Sequence, residues 1–305
     1  MTAPDPQTLA ERYFHEAATD VAQCPKRPRV LGLIASTDKP SLAYARATKQ
    51  RFLDVGMDYE LEHQSRLDLE ARILEANTDP SVHGIFVYFP VFGNQHDDYL
   101  RNLITFTKDV EAGSQYWVRK LYANDRFAIA GDPSKKALLP CTPLAIVKLL
   151  VELRVYGDPS IKPGALSKPL SGKQVTIFNR SEVIGRPLAV MMSNDGAEVF
   201  SFDEHGPLKF VDARPSECNI TRRKALAGSD IVITGVPSVG FAHIEADEVT
   251  SEAIGINFSS IQNFSDAAAE KVSLFIPRVG PMTVAMCMRN TLRLYRHFHM
   301  GSSDD

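Results

Sequence analysis

Lys173-Gln-Val-Thr-Ile-Phe178 is followed by Asn179-Arg-Ser-Glu-Val-Ile-Gly-Arg-Pro187 and then by the apolar Leu188-Ala-Val-Met-Met192. A β-branched run, turn residues and an apolar helical segment, in this order, are typical of a strand, a turn and a helix in a βαβ unit. Three more short apolar runs follow: Ala197–Phe202, Asp230–Thr234 and Ala253–Asn257. Short strands separated by helix-sized segments predict a parallel sheet, and therefore an α/β fold.

The N-terminal part of the chain also alternates strand and helix patterns, with less regular spacing. The predicted strands are Arg29–Ile34 and Gly84–Phe89. The predicted helices are Pro40–Val55, which Gly56 ends, Arg66–Ala76, Leu144–Leu153, which Pro143 begins, and the late segment Met282–Phe298. Proline at the first helical position and glycine after the last one are common helix boundaries. We therefore expect a second α/β domain at the N-terminus.

The length of 305 residues favours two domains, because a single hydrophobic core stops growing at about 250–300 residues. The segment from Tyr156 to Ser171 is richer in glycine, proline and serine than its surroundings, which is typical of a domain junction. We expect one domain over residues 1–155 and another over residues 156–281.

The composition excludes several classes of protein. The 34 lysines and arginines against 37 acidic residues give a formal charge of −3, without the basic surface typical of nucleic-acid or anionic-membrane binding. The four cysteines form no C-x-x-C pair, which argues against disulfide and zinc frameworks and favours a reducing compartment. No apolar run reaches the roughly 18 residues of a transmembrane helix, and residues 1–29 lack a signal-peptide pattern. We expect a cytoplasmic protein without a nucleic-acid or membrane partner.

The strand, turn and helix over residues 175–192 are suited to binding a diphosphate. A turn that opens a helix presents free backbone N–H groups and the positive end of the helix dipole. The full G-x-G-x-x-G pattern is absent, since only Gly185 is present, and Asn179 stands where a glycine would be expected. Asparagine tolerates left-handed backbone better than other non-glycine residues. A plain α/β turn explains this segment equally well.

The end of the next predicted strand favours the dinucleotide interpretation. Asp203-Glu204 follow Phe202 directly. An acid at this position, about 20 residues after the glycine turn, accepts hydrogen bonds from the adenosine ribose and repels a 2′-phosphate. A solvated acidic loop is the alternative. The position predicts a Rossmann-type domain that binds NAD.

Five features occur in one order along residues 30–295: Tyr44, Lys108-Asp-Val-Glu111, Leu139-Pro-Cys-Thr-Pro143, Asn179–Pro187 and Val279-Gly-Pro-Met-Thr283. Together they resemble the methylenetetrahydrofolate dehydrogenase/cyclohydrolase family. The resemblance implies a folate-binding catalytic domain over 1–155, a Rossmann NAD-binding domain over 156–281 and a cleft between them. It also implies that segment 282–305 packs back on the first domain. A homodimer and a place in one-carbon metabolism and purine biosynthesis are further implications.

The resemblance also assigns roles to single residues. Tyr44 would pack on the pterin or aminobenzoate ring, and Glu111 would bind the pterin amino and ring N–H groups. Cys141 would be a further catalytic residue, although a buried cysteine is more often inert packing. The implied substrate contacts are Tyr44, Thr48, Tyr88, Glu111 and Pro281. The implied cofactor contacts are Asn179, Arg180, Ser181, Gly185, Arg186, Pro187, Asp203, Gly235, Val236 and Thr283. For Arg180, a 2′-phosphate, a diphosphate and a neighbouring loop are all open as partners.

Departures from the family pattern bear on the activity. The lysine of the bifunctional enzymes is Thr48 here, and the adjacent Lys49 is turned about 100° away on a helix. The glutamine expected in the strand end Val87-Tyr-Phe-Pro90 is Tyr88. The family's Asp-Val-Asp-Gly is Asp109-Val-Glu-Ala112, which keeps a carboxylate with one more methylene. Loss of both the lysine and the glutamine indicates a dehydrogenase without efficient cyclohydrolase activity.

These departures fit the chemistry. Hydride transfer from a methylene bridge needs no general base, because the lone pair of a bridge nitrogen expels the hydride, whereas hydrolysis of the methenyl product needs an activated water. Two alternatives stay open: a bifunctional enzyme in which Lys49 or a water replaces the lysine, and a catalytically silent nucleotide-binding regulator. No metal site is expected, since His297 and His299 face different sides of a helix. Arg222-Arg-Lys224 is interpreted as a solvated helix start.

Overall fold

The computed structural model describes residues 6–156 and 168–301. The chain divides into two compact units, Ala10–Cys141 with Val284–Asp305 and Met1–Leu9 with Thr142–Thr283. We name them by their main sheets the three-stranded unit and the seven-stranded unit. Residues 142–155 thus belong to the seven-stranded unit, whereas the sequence analysis assigns them to the first domain. The predicted junction at 156–171 lies mostly outside the described residues.

The first half of the chain alternates helices and strands. Its elements are α1 (Pro6–Ala22), β1 (Arg29–Ile34), α2 (Lys39–Asp54), β2 (Asp58–His63), α3 (Leu69–Thr78), β3 (Gly84–Tyr88), α4 (Gln95–Leu103), α5 (Gln115–Tyr122), β4 (Phe127–Ile129), β5 (Asp132–Lys136) and α6 (Cys141–Glu152). A parallel sheet has the order β2-β1-β3, and β4 and β5 form an antiparallel hairpin. The predicted strands at β1 and β3 are confirmed. The edge strand β2 is not predicted from the sequence, because only Tyr59 among its six residues is buried.

Helix α2 shows how local signals set an element that carries predicted site residues. The Asp38 side chain caps its first turn by accepting a hydrogen bond from the Ser41 N–H at 2.8 Å. Gly56, with φ of 87°, lies directly after the C-cap residue Val55 and ends the helix in left-handed backbone. The predicted helix Pro40–Val55 is therefore confirmed to within one residue at each end.

The second half of the chain continues the alternation. Its elements are β6 (Gln174–Phe178), α7 (Gly185–Asn194), β7 (Glu198–Asp203), β8 (Gly206–Val211), β9 (Arg214–Glu217), α8 (Arg222–Ala227), β10 (Ile231–Thr234), β11 (Ile254–Asn257), α9 (Asp266–Lys271), β12 (Leu274–Ile276) and α10 (Gly280–Leu294), which a π-helical turn (Tyr295–His299) extends. The four strands predicted in this half are present.

The seven-stranded sheet has the order β12-β11-β10-β6-β7-β8-β9. The strands from β12 to β7 are parallel, which confirms the predicted parallel sheet, and β8 and β9 extend it in antiparallel fashion. From β6 the chain adds β7 on one side and β10 on the other. Ligands of parallel α/β sheets bind at such a change of direction, beyond the carboxyl ends of the strands. This edge of the sheet is therefore the expected nucleotide site.

The C-terminal helix confirms the prediction for Met282–Phe298, and the last four residues of the segment 282–305 lie outside the described residues. From Val284 onward the segment belongs to the three-stranded unit. Its Asn290 Nδ2 donates hydrogen bonds of 3.1 Å to the carbonyl oxygens of Val110 and Leu139. Among the described helices, none is long and apolar enough to cross a membrane.

Candidate active site

Tyr44 and Tyr88 form the aromatic part of the candidate folate site. Tyr44 lies on α2 and Tyr88 ends β3, and their ring centroids are 6.1 Å apart at an interplanar angle of 84°. Tyr44 is 42% exposed, whereas Tyr88 is 7% exposed. An edge-to-face pair holds each ring in place through the positive edge of one and the negative face of the other. The exposed Tyr44 ring is therefore supported from below and open to a ligand.

Tyr59 on β2 fixes the position of Tyr88. The two phenolic oxygens are 2.7 Å apart, and the Tyr88 hydroxyl is also 3.4 Å from the Ala45 carbonyl oxygen. The Tyr59 ring crosses β1 above Gly32, where a Cβ atom would lie 2.4 Å from the Tyr59 hydroxyl oxygen. Gly32 is therefore required for this hydrogen bond. Tyr59 is not predicted as a site residue from the sequence, where its one signal is that it is the only large apolar ring in β2.

Thr48 and Tyr88 are neutral, buried groups. Thr48 is 1% exposed and lies four residues after Tyr44 on α2. Burial raises the pKa of Tyr88 well above its ordinary value, and the hydroxyls of Tyr59 and Thr48 only partly offset this rise. Neither side chain supplies a cation or an easily removed proton near neutral pH.

Asp109 and Glu111 form a pair of carboxyl groups in the segment between α4 and α5. Asp109 is 1% exposed, and its Oδ2 accepts a hydrogen bond from the Ser114 N–H at 2.8 Å. Burial, and secondarily the Asp109 carboxyl, raise the pKa of Glu111 to about 8, while Arg101 opposes this rise. Ala112 follows with a φ of 52°, so the chain turns sharply directly after Glu111. Glu111 is thus a protonated acid at neutral pH in the free protein.

Cys141 lies against the segment that carries Glu111. Its backbone N–H donates to the Glu111 carbonyl oxygen at 3.2 Å, and its thiol donates to the Val110 carbonyl oxygen at 3.3 Å. Asn290 Nδ2 approaches the Cys141 sulfur at 3.3 Å. Burial raises the pKa of the Cys141 thiol, which therefore stays protonated. Cys141 therefore supports the Glu111 backbone. Asn290, which is fully buried, is a further residue of this site that is not predicted from the sequence.

The turn between β6 and α7 brings several predicted cofactor residues together. Asn179 Oδ1 accepts the Ser181 N–H at 2.9 Å, and Asn179 Nδ2 donates to the Gly235 carbonyl oxygen at 2.8 Å. A Cβ atom on Gly185 would lie 1.9 Å from the Asn179 carbonyl oxygen, so only glycine permits this turn. Arg186 and Pro187 follow in the first turn of α7. The start of α7 therefore has the compact geometry of a diphosphate site.

Arg180 and Asp203 form an ion pair at the ends of β6 and β7. Arg180 Nη1 is 2.8 Å from Asp203 Oδ1, and Arg180 Nη2 donates to the carbonyl oxygens of Ser201 and Gly206. The sequence leaves a 2′-phosphate, a diphosphate and a neighbouring loop open as partners of Arg180, and in the structure Arg180 binds the neighbouring loop. The His205 N–H also donates to Asp203 Oδ1 at 2.8 Å. Within the described part of the chain, Asp203 Oδ2 has no hydrogen-bond donor.

The remaining predicted contacts lie at two other places. Val236 follows β10, and its N–H donates to Asn263 Oδ1 at 2.9 Å. Pro281 and Thr283 lie in the first turn of α10, where the Thr283 hydroxyl donates to the Val279 carbonyl oxygen at 3.3 Å. Among the described contacts within the seven-stranded unit, none joins Pro281 or Thr283 to the Asn179 turn.

Arg222 departs from the solvated helix start that is predicted for Arg222-Arg-Lys224. The Arg222 side chain is 26% exposed and pairs with Glu248 at 2.8 Å. Its guanidinium carbon lies 5.4 Å from the centroids of both Phe178 and Phe241. Arg223, at 66% side-chain exposure, and Lys224 are exposed and fit the solvated interpretation. Arg222 faces inward because aromatic rings and the half-buried Glu248 carboxylate lie beneath the start of α8.

The carboxyl edge of the seven-stranded sheet fits a dinucleotide. A glycine turn opens α7 for a diphosphate, and Asp203 Oδ2 is free to accept hydrogen bonds from a ribose. In the described residues, no group of three or more histidine, cysteine or acidic side chains is arranged to hold a metal ion. The fold and these two groups of residues define the class of the protein: an α/β dehydrogenase with a parallel-sheet NAD-binding unit.

Comparisons with known proteins give the family. Family models for tetrahydrofolate dehydrogenase/cyclohydrolase match residues 5–111 (catalytic domain) and residues 140–299 (NAD(P)-binding domain). The NAD+ methylenetetrahydrofolate dehydrogenase of Dictyostelium discoideum is 40% identical over 299 residues, which cover 96% of this chain and 94% of the relative. The solved structure of the NAD-dependent 5,10-methylenetetrahydrofolate dehydrogenase from Saccharomyces cerevisiae is 36% identical and aligns over 96% of both chains with a TM-score of 0.89.

A more distant relative, the bifunctional protein FolD of Exiguobacterium sibiricum, is 27% identical over 308 residues, which cover 94% of this chain and 97% of the relative. The chain belongs to the tetrahydrofolate dehydrogenase/cyclohydrolase family. The resemblance stated from the sequence motifs is thereby confirmed.

Proposed function

We propose that this protein oxidises 5,10-methylenetetrahydrofolate to 5,10-methenyltetrahydrofolate with NAD and does not hydrolyse the product efficiently. The observation that carries the proposal is the buried, neutral pair Thr48 and Tyr88, which stands where the family pattern has a lysine and a glutamine. The relatives at 36–40% identity are named as NAD-dependent dehydrogenases, whereas the bifunctional relative is 27% identical.

The oxidation needs alignment of the reacting carbons and exclusion of water more than it needs acid–base groups. The lone pair of a folate bridge nitrogen expels a hydride from the methylene carbon and leaves the methenyl cation. When bound, NAD accepts this hydride at C4 of its nicotinamide ring. No proton leaves the substrate in this step, so the residues of the protein act by binding and orienting.

Tyr44 and Glu111 are the residues to which we assign folate binding. The exposed Tyr44 ring, held at 84° to Tyr88, offers a flat apolar surface to the pterin or aminobenzoate ring. Such a ring face also attracts the cation that forms on the substrate. The Glu111 carboxylate accepts two hydrogen bonds from the pterin amino and ring N–H groups. Cys141 holds the Glu111 backbone through its own N–H.

Thr48 and Tyr88 explain why hydrolysis of the product is slow. Attack of water on the methenyl cation requires a group that takes a proton from the water near neutral pH. The Tyr88 hydroxyl is bonded to the Tyr59 hydroxyl at 2.7 Å and has a raised pKa, and a threonine hydroxyl does not titrate in this range. Lys49, one residue further on α2, is turned away from Tyr44 and Thr48 by the helix geometry.

The cofactor residues follow from the carboxyl edge of the seven-stranded sheet. We assign the diphosphate to Ser181, Gly185 and Arg186 at the start of α7, and the adenosine ribose to Asp203. The predicted contacts Gly235 and Val236 follow β10, the strand next to β6. Asn179 connects the two loops through its hydrogen bond to the Gly235 carbonyl oxygen at 2.8 Å.

We also propose a cytoplasmic homodimer that forms through the seven-stranded unit. The cysteines Cys24, Cys141, Cys218 and Cys287 are all free, which supports a reducing compartment. The dimer rests on the family resemblance. Light scattering of the eluting protein measures the mass in solution, and a monomer at micromolar concentration would contradict the dimer.

The test of the activity is an assay that follows NADH absorbance and identifies the folate product. Purified protein with NAD and methylenetetrahydrofolate is expected to produce NADH and methenyltetrahydrofolate in equal amounts. Rapid conversion of added methenyltetrahydrofolate to 10-formyltetrahydrofolate would show a bifunctional enzyme. Folded protein that binds NAD but produces no NADH would show the silent regulator.

A further inference from the structure

Arg222 makes an unusually complete set of contacts for a residue at the start of a short helix. Its Nη1 donates to the Ala242 carbonyl oxygen at 2.8 Å, and its Nη2 donates to the His243 carbonyl oxygen at 2.6 Å. Its Nε and Nη2 lie 3.1 and 2.8 Å from the two carboxylate oxygens of Glu248, a side chain that is 14% exposed. The planar fork of an arginine suits such a bidentate pair, and a lysine does not reproduce it.

The same guanidinium lies on an aromatic cluster formed by Phe178, Phe202 and Phe241. It is 5.4 Å from the ring centroids of both Phe178 and Phe241, within the range of a cation–π contact. Phe178 and Phe202 are stacked, with centroids 5.1 Å apart and an interplanar angle of 22°. Phe178 directly precedes Asn179, and Phe202 directly precedes Asp203. Arg222 thus contacts Phe178 at the end of β6 directly, and it reaches Phe202 near the end of β7 through the Phe178 ring, on which Phe202 stacks.

The loop that Arg222 holds, residues 237–243, follows Gly235 and Val236, the two residues directly after β10. Its Val239 side chain is 91% exposed, although valine is apolar. Phe241 packs against the hydrophobic core at one end of the loop, and Arg222 binds the carbonyl oxygens of the two residues that follow it. These contacts fix the C-terminal end of the loop, and Gly235, two residues before the loop begins, accepts a hydrogen bond from Asn179 Nδ2.

We propose that Arg222 is a positioning residue for NAD: it holds loop 237–243 on the aromatic cluster, so that the loop and the ends of β6 and β7 present one preformed cofactor surface. This inference rests on the proposed function, because the cofactor edge of the sheet is assigned there. Without Arg222, the carbonyl groups of Ala242 and His243 and the carboxylate of Glu248 lose their shared partner. Part of the free energy of cofactor binding is then used to order the loop. The KM for NAD therefore rises, and folate binding does not change.

The neighbouring Arg223 provides a matched control. It pairs with Asp247 at 2.9 Å, and both side chains are 66% exposed. The substitution Arg223→Met removes the same charge from the same helix, one residue away, without touching the loop carbonyls or the aromatic cluster. Surface ion pairs of this kind contribute little to stability.

The experiment compares Arg222→Met, Arg222→Lys and Arg223→Met with the wild-type protein. The KM values for NAD and for methylenetetrahydrofolate are measured separately, NADH binding is measured by fluorescence, and the thermal midpoint is recorded for each variant. Arg222→Met is expected to raise the KM for NAD and the Kd for NADH about tenfold, with the folate KM within twofold of wild type. Arg222→Lys, which keeps the charge and one donor, is expected to lie between, and Arg223→Met to match the wild type.

Two outcomes would overturn the inference: an unchanged KM for NAD in Arg222→Met, or NAD and folate KM values that rise together with a large fall in the thermal midpoint. If Arg222→Met does not fold, the folded Arg222→Lys protein decides by the same comparison of the two KM values. A wild-type protein that binds no NADH contradicts the proposed function instead, so the two failures are distinguishable.

Discussion

Arg180 Nη1 lies 2.8 Å from Asp203 Oδ1, so the arginine that follows β6 is already paired with a carboxylate. The Arg180 side chain is only 10% exposed, and its Nη2 is bound to the carbonyl oxygens of Ser201 and Gly206. We therefore expect Asp203 to favour NAD in two ways. Its free Oδ2 is assigned to the ribose hydroxyls, and its charge is expected both to repel a 2′-phosphate and to neutralise the guanidinium that attracts one.

The substitution Asp203→Ser is expected to weaken NAD and improve NADP. Loss of a hydrogen bond to a charged acceptor, which contributes about 1.5–3 kcal/mol, predicts a KM for NAD at least about tenfold higher. The KM for NADP should fall, because the repulsion is removed and Arg180 is released. Initial rates with both cofactors measure this change.

The double variant Arg180→Met/Asp203→Ser separates the two effects of Asp203. If Arg180 is the group that binds the 2′-phosphate, the gain with NADP disappears when Arg180 is also replaced. Glu204→Ser is the matched control, since Glu204 is 86% exposed and lies next to Asp203. Unchanged kinetics of Asp203→Ser with both cofactors would remove Asp203 from the site.

Tyr44 tests whether folate binding depends on the ring or on the hydroxyl. Tyr44→Phe keeps the edge-to-face pair with Tyr88 and is expected to change the folate KM less than about threefold, whereas Tyr44→Ala removes a stacked ring and is expected to raise it at least about tenfold. The KM for NAD is the internal control and should not change in either variant. Equal losses in both variants would assign the role to the hydroxyl.

The elements with strong local signals could be predicted from the sequence. Helix α2 has a capping aspartate, a proline in its first turn and a glycine after its end, and all three agree with the tertiary structure. The parallel strand β6 is buried continuously from Val175 to Phe178, because helices and loops cover both faces of such a sheet. In contrast, all four residues of β9 are exposed, so the hydrophobic pattern that reveals a strand is absent there.

The residues of the candidate site could be predicted only where the residues that act together lie in one short segment or at fixed positions along the chain. The Asn179 turn and Asp203 are recognisable because the fold requires them at fixed distances along the chain. Tyr59 and Arg222 are not recognisable in this way, since their partners are brought to them by the fold. Tyr59 is 29 residues from Tyr88, and Arg222 is 20 residues from Ala242 and 26 from Glu248.

The turn between β8 and β9 predicts a stabilising substitution. Asp212 and Ala213 both have positive φ angles, 48° and 62°, in a two-residue hairpin between Val211 and Arg214. This geometry favours glycine at the second position, because an L-residue in left-handed backbone costs about 1–2 kcal/mol. After subtraction of the larger chain entropy of glycine in the unfolded state, Ala213→Gly is expected to raise the free energy of unfolding by about 0.5–1 kcal/mol. Urea denaturation measures this change.

A control for the turn substitution lies in α9. Ala267 is exposed and lies within this helix, where glycine is unfavourable, so Ala267→Gly is expected to lower the free energy of unfolding by about 0.5–1 kcal/mol. The two substitutions are chemically identical and differ only in backbone conformation. A lower denaturation midpoint for Ala213→Gly would contradict the account of the turn.

Glu111 predicts how folate binding depends on pH. Its pKa is raised to about 8 by burial and then by Asp109, against the effect of Arg101. The other titratable groups that couple to it are Tyr44, Tyr88, Cys141 and Cys287. Their raised pKa values keep them neutral in this range. In the proposed folate site only the ionised Glu111 carboxylate accepts both pterin N–H groups, so we expect binding below pH 8 to require loss of a proton and to become weaker as the pH falls. The ionised fraction changes about tenfold between pH 7 and pH 9, and the folate KM is expected to fall about tenfold over this interval.

The substitution Glu111→Gln identifies the group responsible. Glutamine has no titrating proton and accepts only one of the two hydrogen bonds, so the folate KM should be higher than that of the wild-type protein and independent of pH between 7 and 9. Because the hydride step itself releases no proton, kcat should depend little on pH in both proteins. Glu217→Gln, an exposed carboxylate on β9, is the control and should keep the wild-type profile. A pH-dependent folate KM that persists in Glu111→Gln would show that another group titrates, and the assignment of pterin binding to Glu111 would be wrong.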